Sequence, residues 1–127
     1  MSEHLHMSTT DVSCDVRFVD VFKVLGKRWN GMIIVALLQR PARFSELAKV
    51  ISGITDGILT ERLRELMAAN LVERQLADGR ATAVLYRLTP AGEDLRGAFA
   101  ELHAWSARNN IGSNNGSNIG KDLSAPV

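Results

Sequence analysis

The chain has 127 residues, 46% of them apolar, which is enough for one domain with a packed core. No run of about 18 apolar residues occurs, which excludes a spanning helix. The start, MSEHLHMSTTDVS, has neither the basic nor the apolar part of a secretory signal. The formal net charge is +1, but residues 23–49 are net +5 and residues 1–22 net −3, a basic block that can attract phosphate locally.

In chain order, residues 1–13 are polar and unpatterned and are expected to form a flexible arm. Residues 15–26 place Phe18, Phe22 and Leu25 on one helical face, with Val19 beside it and Gly26 as the stop. From Trp29 to Gln39 a second helix carries Trp29, Ile33, Ala36 and Leu37 on one stripe. It is apolar almost all round, as befits the middle of a domain, and Pro41 ends it. A short third helix is expected from Ser45 as cap, through Glu46, to about Ile51. Ser52-Gly53-Ile54 then makes a tight turn.

The stretch Ile54–Asn70 organises the rest. Leu59, Leu63, Leu66 and Met67 recur at the spacing of one helical face. Gly57, Thr60, Glu61 and Arg64 form a polar edge away from it. Thr55 can cap the start, Asp56 suits the positive helix end, and Asn70 suits the left-handed stop. Two helices joined by a short turn containing Gly predict a helix-turn-helix. Leu71–Leu76 and Ala83–Leu88, separated by a segment with Asp78-Gly79, predict a β-hairpin. Arg74, Arg80 and Arg87 lie along that hairpin, with Arg80 at its tip, as a wing aimed at backbone phosphate or the minor groove would have them.

Thr89-Pro90 opens a last helix whose stripe is Leu95, Phe99, Leu102 and Trp105. The first and last helices carry more apolar surface than one subunit can cover. A homodimer joined through them by an isologous contact is therefore expected, against a single chain in which both complete the core. Residues 109–127 are Asn/Gly/Ser-rich and are expected to be disordered. The fold expected is mainly α with a small β-hairpin (α+β), a winged helix-turn-helix over residues 14–108.

The order and spacing of LGKRW at 25–29, RFSEL at 43–47, ITDGILTERLREL at 54–66, LVER at 71–74 and YRLTPAG at 86–92, with Cys14 ahead of the first helix, resemble the HxlR-type family. These are bacterial winged helix-turn-helix transcriptional regulators related to the MarR group. The resemblance implies a dimeric DNA-binding regulator answering to a small molecule or a redox signal. The chain departs from the family pattern in having Asp15 after Cys14 and Asp56-Gly57 at the start of the reading helix. It also has Ala81-Thr82-Ala83 in the wing, where Arg80 takes the basic role.

On this reading the chain is a sequence-specific DNA-binding regulator, a repressor by expectation, bound as a homodimer to a pseudo-palindromic operator in the cytoplasm. Arg64 can contact guanine, Glu61 can accept from cytosine, and Thr60 can touch base or phosphate, with Thr55, Asp56 and Gly57 beside them. Arg62 lies nearer the buried flank and either joins them or pairs with Glu65. Arg43, Ser45 and Arg80 are phosphate candidates.

Cys14 cannot close a disulfide within the chain, which fits a reducing compartment. It is either a small packing residue or, as the resemblance implies, a sensor of oxidants or electrophiles. A small hydrophobic effector in the dimer cleft near Phe22, Trp29 and Trp105 is the other input. The competing reading is a winged-helix module that binds only protein. His4, His6 and Cys14 fit no standard metal spacing, and no cofactor or catalytic motif is present, so neither a metal site nor an enzyme is expected.

Overall fold

The computed structural model describes residues 12–76 and 84–112. The order is α1 (Val16–Leu25), α2 (Arg28–Gln39), α3 (Phe44–Val50), α4 (Asp56–Ala68), β1 (Val72–Leu76), β2 (Val84–Leu88), α5 (Pro90–Glu93) and α6 (Arg96–Arg108). Among the described residues no helix is long and apolar enough to cross a membrane. The expected arm at 1–11, the hairpin tip at 77–83 with Arg80, and the tail from 113 onward lie outside the described residues.

The centre is α2, which buries Asn30, Ile33, Ile34, Val35, Leu37 and Leu38. Against it α4 buries Leu59, Leu63 and Leu66, the stripe expected from their spacing, with Met67 at its margin. Leu47, Ile51, Val72 and Leu88 complete one core cluster. Each fully buried Leu or Ile contributes about 1.5–3 kcal/mol through apolar surface withdrawn from water.

The α3–α4 turn contains Gly53 at φ +89°, a conformation that residues with a Cβ rarely adopt. Thr55 Oγ1 then accepts from the Ile58 amide at 3.2 Å, capping α4 as expected. At the other end Asn70 has φ +62°. The Leu71 amide donates to Leu66 O and the Asn70 amide to Met67 O, both at 3.0 Å, which makes a Schellman stop.

β1 and β2 pair antiparallel with Val72 opposite Leu88 and Leu76 opposite Val84. The hairpin is fastened to the α2–α3 connection by Ala42, which exchanges backbone hydrogen bonds with Tyr86 at 2.8 and 3.0 Å. Thr89 is buried and doubly used: its hydroxyl donates to Asn70 O at 2.7 Å and accepts from the Gly92 amide at 3.1 Å. Gly92 is packed so closely that an added Cβ would stand 2.4 Å from Leu71 O, so Ala there forces the backbone apart.

Two expected boundaries are corrected. The cap of α3 is Arg43, not Ser45, which is the second helical residue. Glu46 reaches back to accept from the Arg43 amide at 2.8 Å, and that reach fixes the cap three residues before it. The single last helix is two, because the Leu95 amide turns to Gly92 O at 3.1 Å, a three-residue step that tightens the chain there. After the break Arg96 donates to Leu38 O at 2.8 Å, tying the start of α6 to the end of α2.

Neither α1 nor α6 has a fully buried residue. Val16, Phe18, Val19 and Phe22 of α1 and Leu102 and Trp105 of α6 are all exposed, while Leu25, Leu95 and Phe99 pack on the core. The apolar surplus expected of the two end helices is therefore present in the folded subunit.

Candidate nucleic-acid interface

Opposite the buried leucines of α4, Gly57, Thr60, Glu61 and Arg64 are exposed, with Thr55 and Asp56 at the helix start. The polar edge expected from the spacing is thus a continuous surface feature. Among the described residues Arg64 makes no ion pair, so its guanidinium is available to an outside acceptor. Arg62 is placed differently. Its side chain is 16% exposed and pairs with Glu65 at 2.9 Å and Glu61 at 3.5 Å. It belongs to the flank of the helix, the second of the two placements expected for it.

The basic block of residues 23–49 is partly neutralised by the fold. Lys27 pairs with Glu65 at 2.8 Å, Arg40 with Glu46 at 2.9 Å and Lys23 with Asp20 at 3.8 Å. Arg28 lies over the Trp29 ring, 4.3 Å from its centroid. Arg43 and Lys49 are exposed and outside these pairs, as is Ser45 beside Arg43. On the hairpin, Arg87 is held by Glu73 at 3.3 Å and donates to Gln75 Oε1 at 2.9 Å, while Arg74 is exposed.

Cys14 is exposed in the extended segment before α1. The helix cap is its neighbour Asp15, whose carboxylate accepts from the Arg17 amide at 2.7 Å. The effector cleft expected near Phe22, Trp29 and Trp105 is one between subunits, and the single chain shows the setting of each residue. Phe22 stacks on Phe18 at 6.3 Å in the open, Trp29 is half-buried beside Gly53, and Trp105 is exposed on α6. A groove of about 590 Å³ runs between α1 and the α4–β1 and α5–α6 connections. Val16, Val21, Val24, Leu71 and Leu95 line it.

A polar node on the inner flank of α4 was not legible as a site. Asn30 is fully buried, and its Nδ2 donates to Val24 O at 2.8 Å and to Glu65 Oε1 at 3.1 Å. The available signal was an Asn three and four residues before Ile33 and Ile34, on the buried face of an apolar helix. Hydrogen bonds from Lys27 and then Asn30 hold the Glu65 carboxyl below its ordinary value. The Arg40 guanidinium and then the Arg43 amide do the same for Glu46.

Lowered folded-state values mean that both carboxylates contribute stability above their ordinary value of 4.5. That contribution is lost as pH falls through the lowered values. The melting temperature should therefore drop as pH is taken below 4.5, and less steeply in Glu65→Gln. Parallel curves for the two proteins would show that Glu65 plays no part in that loss.

Helices α2–α4 with a hairpin after the third, and an exposed edge of short polar groups and a guanidinium on that third helix, define a winged helix-turn-helix DNA-binding protein. The chain belongs to the HxlR-like helix-turn-helix family, which matches residues 24–113. It is a DNA-binding transcriptional regulator of that family. It is similar to the HTH-type transcriptional regulator YodB of Bacillus subtilis (strain 168), with 44% identity over 85 residues, 67% of this chain and 76% of YodB. The crystal structure of quinone-bound YodB superposes with a TM-score of 0.65 and 38% identity, over 74% of this chain and 99% of that one. The redox regulator HypR in its reduced form gives a TM-score of 0.68 at 27% identity, over 74% and 93% of the two chains.

Proposed function

We propose that the protein is a homodimeric regulator that reads a pseudo-palindromic operator with two copies of α4, and that chemistry at Cys14 alters its hold on DNA. One observation carries the reading: α4 buries Leu59, Leu63 and Leu66 and leaves Thr60, Glu61 and Arg64 exposed. Such a helix can enter a major groove with its wet side forward. Arg64 reads guanine and Glu61 accepts from cytosine, while Thr55, Asp56, Gly57 and Thr60 face the neighbouring backbone and bases. Arg43 and Ser45 contact phosphate, and Arg80 does so from the wing. Arg62 acts from behind, through its ion pair with Glu65. The exposed apolar faces of α1 and α6 join the two subunits, and there Phe22 and Trp105 find the cover that one chain does not give them.

The sensing role of Cys14 is supported by its exposure and by the company the chain keeps: YodB has been crystallised with quinone bound, and HypR is a redox regulator. A quinone would add to the Cys14 thiolate. A disulfide-forming agent would join two Cys14 residues of different chains, since each chain has one cysteine. After diamide treatment a non-reducing gel should show a covalent dimer, and operator binding should change at the same time. A Cys14→Ser protein that responds to diamide or quinone as the wild type does would remove Cys14 as the sensor.

A further inference from the structure

Among the described residues, a short relay of hydrogen bonds links the proposed dimerising helix to the reading helix, and it ends on one carboxylate. Glu65 follows Arg64 directly in α4. Its Oε2 accepts from Lys27 Nζ at 2.8 Å, and its Oε1 accepts from Arg62 Nη1 at 2.9 Å and Asn30 Nδ2 at 3.1 Å. The same Asn30 nitrogen donates to Val24 O, in the last turn of α1, at 2.8 Å. One buried amide therefore bridges α1 to α4 from its seat on α2.

This arrangement is costly, and packing does not require it. Asn30 is fully buried, yet among the described residues its Oδ1 has no hydrogen-bond partner, and a buried acceptor left without one costs stability. The core around it is already formed by Ile33, Ile34, Leu37, Leu59, Leu63 and Leu66. An apolar side chain of the same size would keep that packing and leave no orphan. What an apolar residue could not do is donate to two acceptors on two different helices. Buried polar groups of this kind set register where apolar contacts alone leave it loose. Register is what α1 lacks: it has no fully buried residue, and only Val24 and Leu25 at its end pack against the core.

We propose that Asn30 and Glu65 are positioning residues, a clamp through which the setting of α1 fixes the setting of α4 and hence of Arg64 and Glu61. The proposal rests on the reading of α4 as the DNA-contacting helix. Neither residue touches DNA in this account. Both act through the helix they hold, so displacement of α1, at the subunit contact or after modification of the nearby Cys14, reaches the reading edge through one amide.

The test is a double-mutant cycle read on DNA and on geometry. Wild type, Asn30→Ala, Glu65→Ala, the double variant and Glu65→Gln are compared on an operator selected by the wild-type chain from a random duplex pool, and on random duplex. Each single alanine variant should bind the operator about tenfold more weakly, with random-duplex affinity almost unchanged, and the double variant should lose no more than either single. Glu65→Gln, which keeps an acceptor for Asn30, should retain most of the affinity. A merely structural role would shift melting temperature and leave the operator-to-random ratio of the folded protein alone. Losses that multiply in the double variant, that fall equally on both duplexes, or that are missing from both single variants would overturn the clamp. If Asn30→Ala does not fold, Glu65→Ala and Glu65→Gln carry the comparison.

Independently of DNA, spin labels at positions 17 and 60 in a Cys14→Ser background should give a narrow interhelical distance that broadens in Asn30→Ala or Glu65→Ala. An unchanged distribution sinks the clamp whatever DNA does. A broadened one, in a protein with no preference for any duplex, sinks the DNA-reading assignment and leaves the clamp standing.

Discussion

Replacing Phe22 with Glu will leave a folded monomer that holds its operator about 100- to 10,000-fold more weakly than the wild-type chain. The size of the effect follows from linkage. Two half-site contacts made by one dimer multiply through their high effective concentration, and separation of the subunits forfeits that gain. The site follows from the fold. Phe22 is 63% exposed, and Val16, Phe18 and Val19 are exposed near it, while Leu102 and Trp105 are exposed on α6. A charge there meets water in the single chain and removes no core contact, but at a subunit contact it must be buried without a partner. Sedimentation equilibrium and operator binding read the two consequences. A variant that stays dimeric, or one that becomes monomeric and still binds with wild-type affinity, would contradict the assignment of these faces.

Arg64→Ala should cost about 1–3 kcal/mol on the operator and relax the preference for guanine at one position in each half-site, while binding to random duplex stays nearly as before. The structure makes this variant easy to interpret. Arg64 is exposed and pairs with no carboxylate among the described residues, so its truncation strands no partner there. Arg62→Ala is the informative contrast. That side chain is 16% exposed and held by Glu65 and Glu61, so its loss should lower stability and reach DNA only indirectly. Arg64→Ala losses of equal size on specific and random duplex would remove Arg64 as a base reader.

Much of this was legible because the decisive signals are local. The three- and four-residue spacing of Leu59, Leu63 and Leu66 fixes both the buried face of α4 and the edge left over. Thr55 and Asn70 mark its ends by chemistry that needs no tertiary partner. The misplaced α3 cap shows two local rules in competition: Ser45 has the better capping side chain, but Glu46 reaches back three residues, and that reach selected Arg43. The break between α5 and α6 is a single turn of the Leu95 amide to Gly92 O, a local step with no periodic trace. The Ala42–Tyr86 bridge is a single residue pair, too short to carry a pattern. Phe22, Trp29 and Trp105 announce an appetite for burial without saying what each is buried against, and a cleft between subunits leaves no trace in the spacing of one chain. Asn30 leaves no trace in the sequence because its two acceptors, Val24 O and the Glu65 carboxylate, lie far apart along the chain.

The most direct measurement is the selection of duplexes by the full-length chain from a random or genomic pool, followed by footprinting of the winners. Two α4 helices presented to one duplex predict inverted half-sites with centres about 10 base pairs apart, both protected in the major groove. Enrichment of a lone half-site or a direct repeat, or no enrichment of any sequence, would contradict the account.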